Sequence, residues 1–188
     1  NLFQRTLRIF LLTIKMSFFI FKNIKKGDSI LQVTNPTFLI LATAILKKIK
    51  GFKIEILVHD VFPENLIPAG IIKKESFGYK LLFRIYNSAY RQADRLIVLG
   101  EDMKELMVSK LNKPDAIIDI VPNWADDNIL PIPYFNKDEY LKINTLNKIV
   151  IGFAGNLGRV QGVLDFLEMF VESKNASLEL VIIGDGAL

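Results

Sequence analysis

The chain has 188 residues, of which 51% are hydrophobic and 23% charged, a composition typical of a globular protein rather than of a disordered or fibrous one. It contains no cysteine and one histidine, which excludes disulfide bonds, cysteine-ligated metals and metal sites built from several histidines. The mean hydropathy of +0.30 is high. It indicates either strands buried on both faces of a sheet or a surface that faces a membrane.

The net charge is +4, and the basic residues are concentrated at the start of the chain. Asp28 is the only acidic residue among the first fifty, which contain Arg5, Arg8, Lys15, Lys22, Lys25, Lys26, Lys47, Lys48 and Lys50. A basic surface of this kind suits anionic lipid, phosphate or nucleic acid, or is simply a solvated face. The aromatic residues lie within apolar runs rather than alternating with Lys and Arg, which argues against nucleic acid as a partner.

The run from Ile9 to Phe21 predicts a helix with an apolar face and basic flanks. The run is interrupted by Lys15, is too short to span a bilayer, and lacks the small-residue cleavage site of a signal peptide. Two interpretations remain open: a helix buried in the core, and a helix that lies on a membrane surface between residues 5 and 26.

The chain then alternates between short apolar strands and helices. Strands are predicted at Ser29–Val33, Lys53–Val58, Arg95–Leu99 and Ile117–Val121. Helices are predicted between them, from Thr37 as the capping residue to a stop at Gly51, from Ser76 to Ala93, and from Glu101 to Leu111. Apolar strands that alternate with helices predict a parallel sheet covered by helices, and therefore an α/β fold.

A second, shorter run of the same kind follows an irregular segment. Residues 122–147 contain Pro122, Pro131 and Pro133 and are predicted to form an interdomain hinge or linker. Strands at Lys148–Phe153 and Leu178–Ile183, with a helix at Val163–Val171, then predict one βαβ unit. We therefore expect a first domain at 1–121 and the start of a second at 148–188, truncated because two strands do not form a stable sheet alone.

Ligands of open parallel sheets bind at the carboxyl ends of the strands, and polar residues follow one strand there. His59 and Asp60 come directly after the second predicted strand, and Glu64 lies in the loop beyond them. His59 could hydrogen-bond a sugar hydroxyl or a phosphate, or transfer a proton. The alternative is a structural histidine that satisfies backbone groups of the loop.

Two glycine-rich turns follow strands of the second run. The segment Gly152 to Gly162 passes from a strand into a helix, and such a turn brings backbone N–H groups and a helix N-terminus close to a phosphate. Arg159 adds a fork of donors suited to a diphosphate. Gly184 and Asp185 end the last strand and could border the same pocket. A tight turn with close packing is the alternative interpretation of the first segment, and a plain βα turn is that of the second.

Five motifs in order carry a resemblance to a known family: VHDVFPENL at 58–66, ADRLIVLGEDM at 93–103, IVPNWAD at 120–126, GFAGNLGRVQGVLDFLE at 152–168 and VIIGDGA at 181–187. With these motifs the chain resembles bacterial family-4 (group 1) glycosyltransferases of the GT-B fold. It is most similar to the subgroup that includes fucosamine transferases of capsule, O-antigen and exopolysaccharide synthesis.

The resemblance implies two Rossmann-like parallel-sheet domains, the first binding the acceptor and the second a nucleotide sugar, usually a UDP-sugar. It implies glycosyl transfer with retention at the anomeric carbon, no cofactor besides the nucleotide-sugar donor, and no metal. Its acceptors are polyprenyl-diphosphate-linked or glycan molecules, which places such enzymes in the cytoplasm, at the inner face of the inner membrane. We expect the chain to lack the first strand of one domain and most of the other, and to be inactive by itself.

The resemblance also assigns residues. It implies a catalytic role for His59 and Asp60, and a place for Glu64 in the loop on the acceptor side. The donor-binding positions are Gly155, Asn156, Gly158, Arg159, Gln161, Gly184 and Asp185. Many family members carry Arg and Lys where this chain has Asn156 and Gln161, so we expect Arg159 and backbone N–H groups to hold the diphosphate instead.

Two other classes of protein remain open. Gly152, Gly155 and Gly158 form a GxxGxxG pattern after a strand, which also occurs in NAD- or nucleotide-binding Rossmann oxidoreductases and epimerases. The pattern here follows a whole α/β domain instead of opening one. A GT-B scaffold that has lost its activity is the third class.

Overall fold

The structure is a computed structural model that describes residues 2–123, 126, 128, 130, 147–158 and 161–186, except for the side chains of residues 2, 3 and 5. The chain divides into two compact units, Asn1–Trp124 and Ala125–Leu188. Most of the predicted linker lies outside the described residues.

The first unit contains four parallel strands, in the sheet order β1-β2-β3-β4, which is also their order in the chain. Its elements are α1 (Leu2–Asn23), β1 (Ser29–Val33), α2 (Thr37–Lys50), β2 (Lys53–Val58), a 3₁₀ turn (Glu64–Leu66), α3 (Phe77–Tyr90), β3 (Arg95–Val98), α4 (Glu101–Leu111) and β4 (Ile118–Ile120). The predicted α/β fold with parallel sheets is confirmed.

The order of the strands explains which face of the sheet is buried. Crossovers between parallel strands are right-handed, so three successive crossovers in the same direction place α2, α3 and α4 on the same face. Ile54, Ile56 and Val58 of β2 point to that face and are at most 1% exposed. Leu57 on the opposite face is only half-buried and Leu31 of β1 is 65% exposed. In the described residues, these strands are therefore not buried on both faces.

The core lies between the buried face of the sheet and the helices. All four helices of the unit contribute to it, and so does Phe52, which precedes β2. Its largest fully buried side chains are Tyr90, Phe52, Ile40, Ile54, Ile56, Leu96, Met107 and Leu111.

The residue predicted to end α2 is correct, and the residue predicted to cap its start is wrong. Gly51 ends the helix in a left-handed conformation (φ 73°), and its N–H donates to the Lys47 carbonyl, as predicted. Thr37 does not cap the helix, because Pro36 occupies the capping position and no side chain bonds the first turn. The Thr37 hydroxyl instead donates to the Tyr86 hydroxyl oxygen at 3.1 Å, which ties α2 to α3.

The second unit contains β5 (Ile149–Ala154), α5 (Val163–Ser173) and β6 (Leu178–Ile183), and its two strands pair in parallel. Among the described residues of this unit, Val163 is the only buried apolar side chain. In the part of the chain that the structure describes, neither unit has a helix long and apolar enough to cross a bilayer.

Candidate functional site

The backbone of the turn after β2 is fixed by hydrogen bonds to a threonine side chain. The N–H groups of His59 and Asp60 both donate to the hydroxyl oxygen of Thr34, at 3.2 and 3.0 Å. Thr34 follows β1 and is 1% exposed, so one buried hydroxyl joins the carboxyl ends of two neighbouring strands. The side chains of His59 and Asp60 are exposed. The turn therefore has a fixed backbone and two polar side chains that solvent or a ligand can reach.

Glu64 lies a short distance beyond this turn, and its carboxylate has a buried partner. Both of its oxygens accept hydrogen bonds from Lys110 Nζ, each at 2.7 Å. The Lys110 side chain is 1% exposed, and its ammonium group lies 4.7 Å from the ring centroid of Phe83 and 5.6 Å from that of Tyr90. Burial lowers the pKa of Lys110, and the hydrogen bonds and charge of Glu64 counteract that effect.

The Lys110–Glu64 pair fixes the loop after β2 onto α4. Lys110 was not among the predicted site residues, although its position on the helix indicates a buried lysine. Met103, Met107, Lys110 and Leu111 follow the i, i+4, i+7, i+8 spacing of a buried helix face, so Lys110 stands where an apolar residue is expected. A lysine at such a position needs a buried anionic partner. The acceptor-side role of Glu64 stays a prediction, and its observed role is to position the loop.

Tyr90 also contacts this loop from α3. Its hydroxyl oxygen lies 3.5 Å from the Phe62 amide nitrogen, a long hydrogen bond, and the Phe62 ring packs on Tyr86 with a centroid distance of 5.6 Å. Tyr90 is 1% exposed, and burial raises its pKa well above the ordinary value, so its hydroxyl stays protonated. The loop from His59 to Glu64 is thus anchored by residues of three other segments.

In the second unit, the loops after β5 and β6 pack backbone against backbone. The Gly155 N–H donates to the Ile183 carbonyl at 2.9 Å, and the Leu157 N–H donates to the Asp185 carbonyl at 3.0 Å. A Cβ atom on Gly184 would lie 1.9 Å from the Gly155 carbonyl oxygen. The close approach of the two loops therefore requires glycine at position 184.

Two other predicted donor-binding residues, Asn156 and Gln161, lie beside Gly158. A Cβ atom there would lie 2.5 Å from the Gln161 side-chain oxygen and 2.9 Å from the Asn156 side-chain nitrogen, so these two side chains converge on this glycine. Gly162 follows with φ 64° and precedes α5, whose first turn has no side-chain cap. Arg159 lies outside the described residues.

In the described part of this loop, several backbone N–H groups are already used within the protein. The N–H groups of Gly155 and Leu157 already donate within the protein, and the Gln161 N–H donates to the Gly158 carbonyl at 3.3 Å. The N-terminus of α5 is the part of the loop that suits a phosphate, because the first N–H groups of a helix have no partner within the helix. The described residues contain no cluster of three or more His, Asp or Glu that could hold a metal ion.

Parallel strands with polar or glycine-rich loops at their carboxyl ends define a Rossmann-like α/β protein, a class that binds ligands at those ends. No protein-family model matches the chain. A curated relative, the probable glycosyltransferase WbjE of Pseudomonas aeruginosa, is 40% identical over 185 residues. The matched region is 95% of this chain and 44% of the relative, so the chain spans less than half of the length of that protein.

Proposed function

We propose that this protein is a glycosyltransferase that moves a sugar from a nucleotide-diphosphate sugar to a lipid-linked or glycan acceptor. The observation that carries the proposal is the 40% identity to a probable glycosyltransferase along 95% of the chain. The finer assignments rest on the motif resemblance: family 4 of the GT-B fold, a UDP-linked donor, retention at the anomeric carbon, and a part in capsule, O-antigen or exopolysaccharide synthesis.

In this proposal the two units have separate tasks. The turn at His59 and Asp60 in the first unit contributes polar side chains that contact the reacting sugar. The fixed backbone of this turn, which is hydrogen-bonded to the Thr34 hydroxyl, supports this role. The loop from Gly155 to Gly162 in the second unit binds the donor diphosphate. Asn156 and Gln161 converge on Gly158 and shape that loop.

The negative charge of the leaving diphosphate must be stabilised, and in this proposal groups of the protein do so without a metal. The N-terminus of α5 contributes the positive end of the helix dipole and N–H donors, and Arg159 contributes a guanidinium group. Donors arranged in advance at a developing negative charge are a large source of catalysis.

The oxidoreductase or epimerase alternative has less support. It depends on the GxxGxxG pattern, in which the Gly155 N–H already donates to Ile183 and Gly152 lies within β5. The name of the relative gives no support to it. An inactive scaffold would keep the fold and lose transfer activity.

The test is isothermal titration of the full-length protein with UDP and, separately, with NAD. We expect micromolar binding of UDP, weakened about tenfold (~1.4 kcal/mol) by Arg159→Ala. Lys174→Ala is the matched control, since Lys174 lies at the opposite end of α5 and should not affect binding. Binding of NAD without UDP would show that the donor class is wrong.

A second variant separates catalysis from binding. His59→Ala should leave UDP affinity within about twofold and reduce sugar transfer by about 100-fold or more, because His59 acts on the reacting sugar and not on the nucleotide. If the wild-type protein binds UDP but transfers sugar from no UDP-sugar to lipid-linked or glycan acceptors, the result would favour the inactive scaffold.

A further inference from the structure

Three neighbouring helices of the first unit share an unusual charge pattern. α1, α2 and α3 contain no acidic residue, whereas α4 and α5 each contain three. The basic residues of the three helices are Arg5, Arg8, Lys15, Lys22, Lys47, Lys48, Lys50, Lys80 and Arg84. We call the part of these helices that faces away from the sheet the outer helical surface. Its composition suits an anionic partner.

α1 buries only a narrow stripe of its surface. Thr13 and Ile20 are buried at 5% and 9% exposure, and Ile24, just past the helix end, packs against the core. The Thr13 hydroxyl donates to the carbonyl of Ile9 and therefore needs no partner outside the helix. Large apolar side chains elsewhere on α1 are between 36% and 67% exposed: Leu7, Phe10, Leu11, Leu12, Ile14, Met16, Phe18, Phe19 and Phe21.

The exposed apolar surface continues from α1 onto α2. The Phe10 ring meets Phe38 edge-on with a centroid distance of 6.2 Å, and the Lys50 ammonium lies 5.1 Å from the ring centroid of Phe21. Ile45 and Ile49, seven and eleven residues after Phe38, lie on the same side of α2. They are 62% and 67% exposed.

The surface extends further to α3. A groove of about 370 Å³ runs between α2 and α3 and is lined by Ile45 on one side and Ile85 on the other. Lys48 and Arg84 line the same groove, so cationic and apolar side chains occur together there. The outer helical surface is therefore continuous over three helices.

The cations of α1 lie beside its apolar side chains. Arg8, Lys15 and Lys22 are spaced by seven residues and form one exposed stripe, and Leu11 and Phe18 lie one turn from them on the same side. A helix with aromatic side chains next to Lys and Arg, and without acids, matches segments that lie in the interface of an anionic bilayer. The long side chains of Lys and Arg can reach the phosphate groups while apolar side chains enter the membrane.

The shape of this surface also favours a bilayer over a protein partner. Exposed apolar patches of soluble monomers rarely exceed a few hundred Å². The apolar side chains of α1 project around more than half of a helix that is seated along one stripe, so they form a convex ridge. A ridge can sink into a lipid surface without a complementary groove.

We propose that the outer helical surface docks on a bilayer containing anionic lipids, with Phe18 and Phe19 entering the interface and Lys15 and Lys22 contacting lipid phosphates. This inference goes beyond the proposed function and does not depend on it, since nucleotide binding is assigned to the second unit. A protein that binds vesicles but not UDP would support the docking surface and contradict the donor assignment.

The experiment is co-sedimentation of the full-length protein with vesicles of phosphatidylcholine alone, or of equal parts phosphatidylcholine and phosphatidylglycerol. We expect binding to the anionic vesicles, weaker binding to the neutral ones, and a decrease with added salt. Lys15→Glu with Lys22→Glu should weaken binding about thirtyfold or more. Lys113→Glu with Lys174→Glu makes the same change of net charge outside the surface and should have a much smaller effect.

A second pair of variants tests the apolar part. Phe18→Ser with Phe19→Ser should weaken vesicle binding at least tenfold, because both side chains enter the interface. Met169→Ser with Val171→Ser removes equally exposed apolar side chains, 68% and 70%, from α5 and should leave binding unchanged. All four residues are exposed, so thermal melts should match those of the wild type.

Three outcomes would overturn the proposal. The first is no binding of wild-type protein to anionic vesicles. The second is equal loss of binding in the α1 variants and their controls. The third is that the wild-type protein is a dimer, and that Phe18→Ser with Phe19→Ser produces monomers but does not change vesicle binding. A second copy of the chain, and not a bilayer, would then occupy the surface.

Discussion

The sheets of the two units are built from the same parallel strand–helix–strand repeat, yet they bury their side chains to different extents. In β2 of the first unit, Ile54, Ile56 and Val58 are at most 1% exposed. In β5 and β6 of the second, Ile149 is 66% exposed and Ile183 is 55% exposed. The repeat supplies hydrogen-bonded strands in both units, but the described residues form an apolar core only where several repeats stack their helices on one face.

The largest expected effect comes from matched Ile→Ala substitutions in the two sheets. Ile56→Ala should lower the free energy of unfolding by about 4 kcal/mol, because it leaves a cavity between Gln32, Leu96 and the helices. Ile149→Ala removes an exposed side chain and should cost about 1 kcal/mol or less. Urea unfolding followed by circular dichroism measures both values.

Hydrogen exchange then shows which unit responds. Ile56→Ala should accelerate amide exchange in β1–β4 and leave β5 and β6 unchanged. Equal costs for the two substitutions would mean that Ile149 is buried in the folded protein, and the contrast between the sheets would not hold.

The ion pairs of the two units provide the second comparison. Glu64→Ala leaves the ammonium of Lys110 buried without a counter-charge and should cost about 3 kcal/mol. Glu179→Ala breaks the pair with Lys148, whose side chains are 36% and 28% exposed, and should cost less than about 1 kcal/mol because solvent screens it. Thermal or urea unfolding at low and high salt separates them, since only the Lys148–Glu179 pair should weaken with salt.

A reversed order of these two costs would contradict the buried environment of Lys110. Replacing the lysine itself offers a further check. Lys110→Met should cost less than Glu64→Ala, because it leaves the partly exposed carboxylate unpaired instead of a buried cation.

The third comparison concerns two glycines of the second unit and has the smallest effect among the three destabilising variants. Gly184→Ala should cost about 2 kcal/mol, because the new methyl group would collide with the Gly155 carbonyl and separate the two loops. The amides of Gly155 and Leu157 should then exchange faster. Gly152→Ala is the matched control, since a Cβ atom there meets no atom within 4 Å. Unchanged exchange in Gly184→Ala would show that the loops are not packed as described.

Much of the fold follows from local patterns in the sequence. β1, β2 and β6 have their predicted bounds, because short apolar runs leave little choice of ends. α4 also has its predicted bounds, since Gly100 precedes an acidic first turn and Asn112 ends the helix in a left-handed conformation. α3 was predicted from Ser76 to Ala93 and extends from Phe77 to Tyr90. Its start is shifted because Ser76 is the cap, whose side chain accepts a hydrogen bond from the Tyr79 N–H. The exposure of one face of the first sheet was not predicted, because the order of the strands decides which face the helices cover.

The candidate site was less predictable than the fold. The strand-end positions of His59 and Asp60 were predicted from the pattern, since parallel strands place these ends together. The contacts that fix them were not, because Thr34 and Lys110 reach the loop from segments 25 and 46 residues away. Long-range polar pairs of this kind leave only a weak local signal, such as a lysine on an apolar helix face. The functions assigned to these residues stay predictions.

The distance in sequence between Glu64 and Lys110 also has a consequence for the order of folding. The pair is separated by 46 residues, and α4 follows β3, so the loop after β2 acquires its final anchor only when α4 has docked. During synthesis β2 leaves the ribosome well before α4 does. Closing so long a loop costs chain entropy that nearer contacts must first offset. The His59–Glu64 loop is therefore expected to be among the last parts of the first unit to take shape on a growing chain.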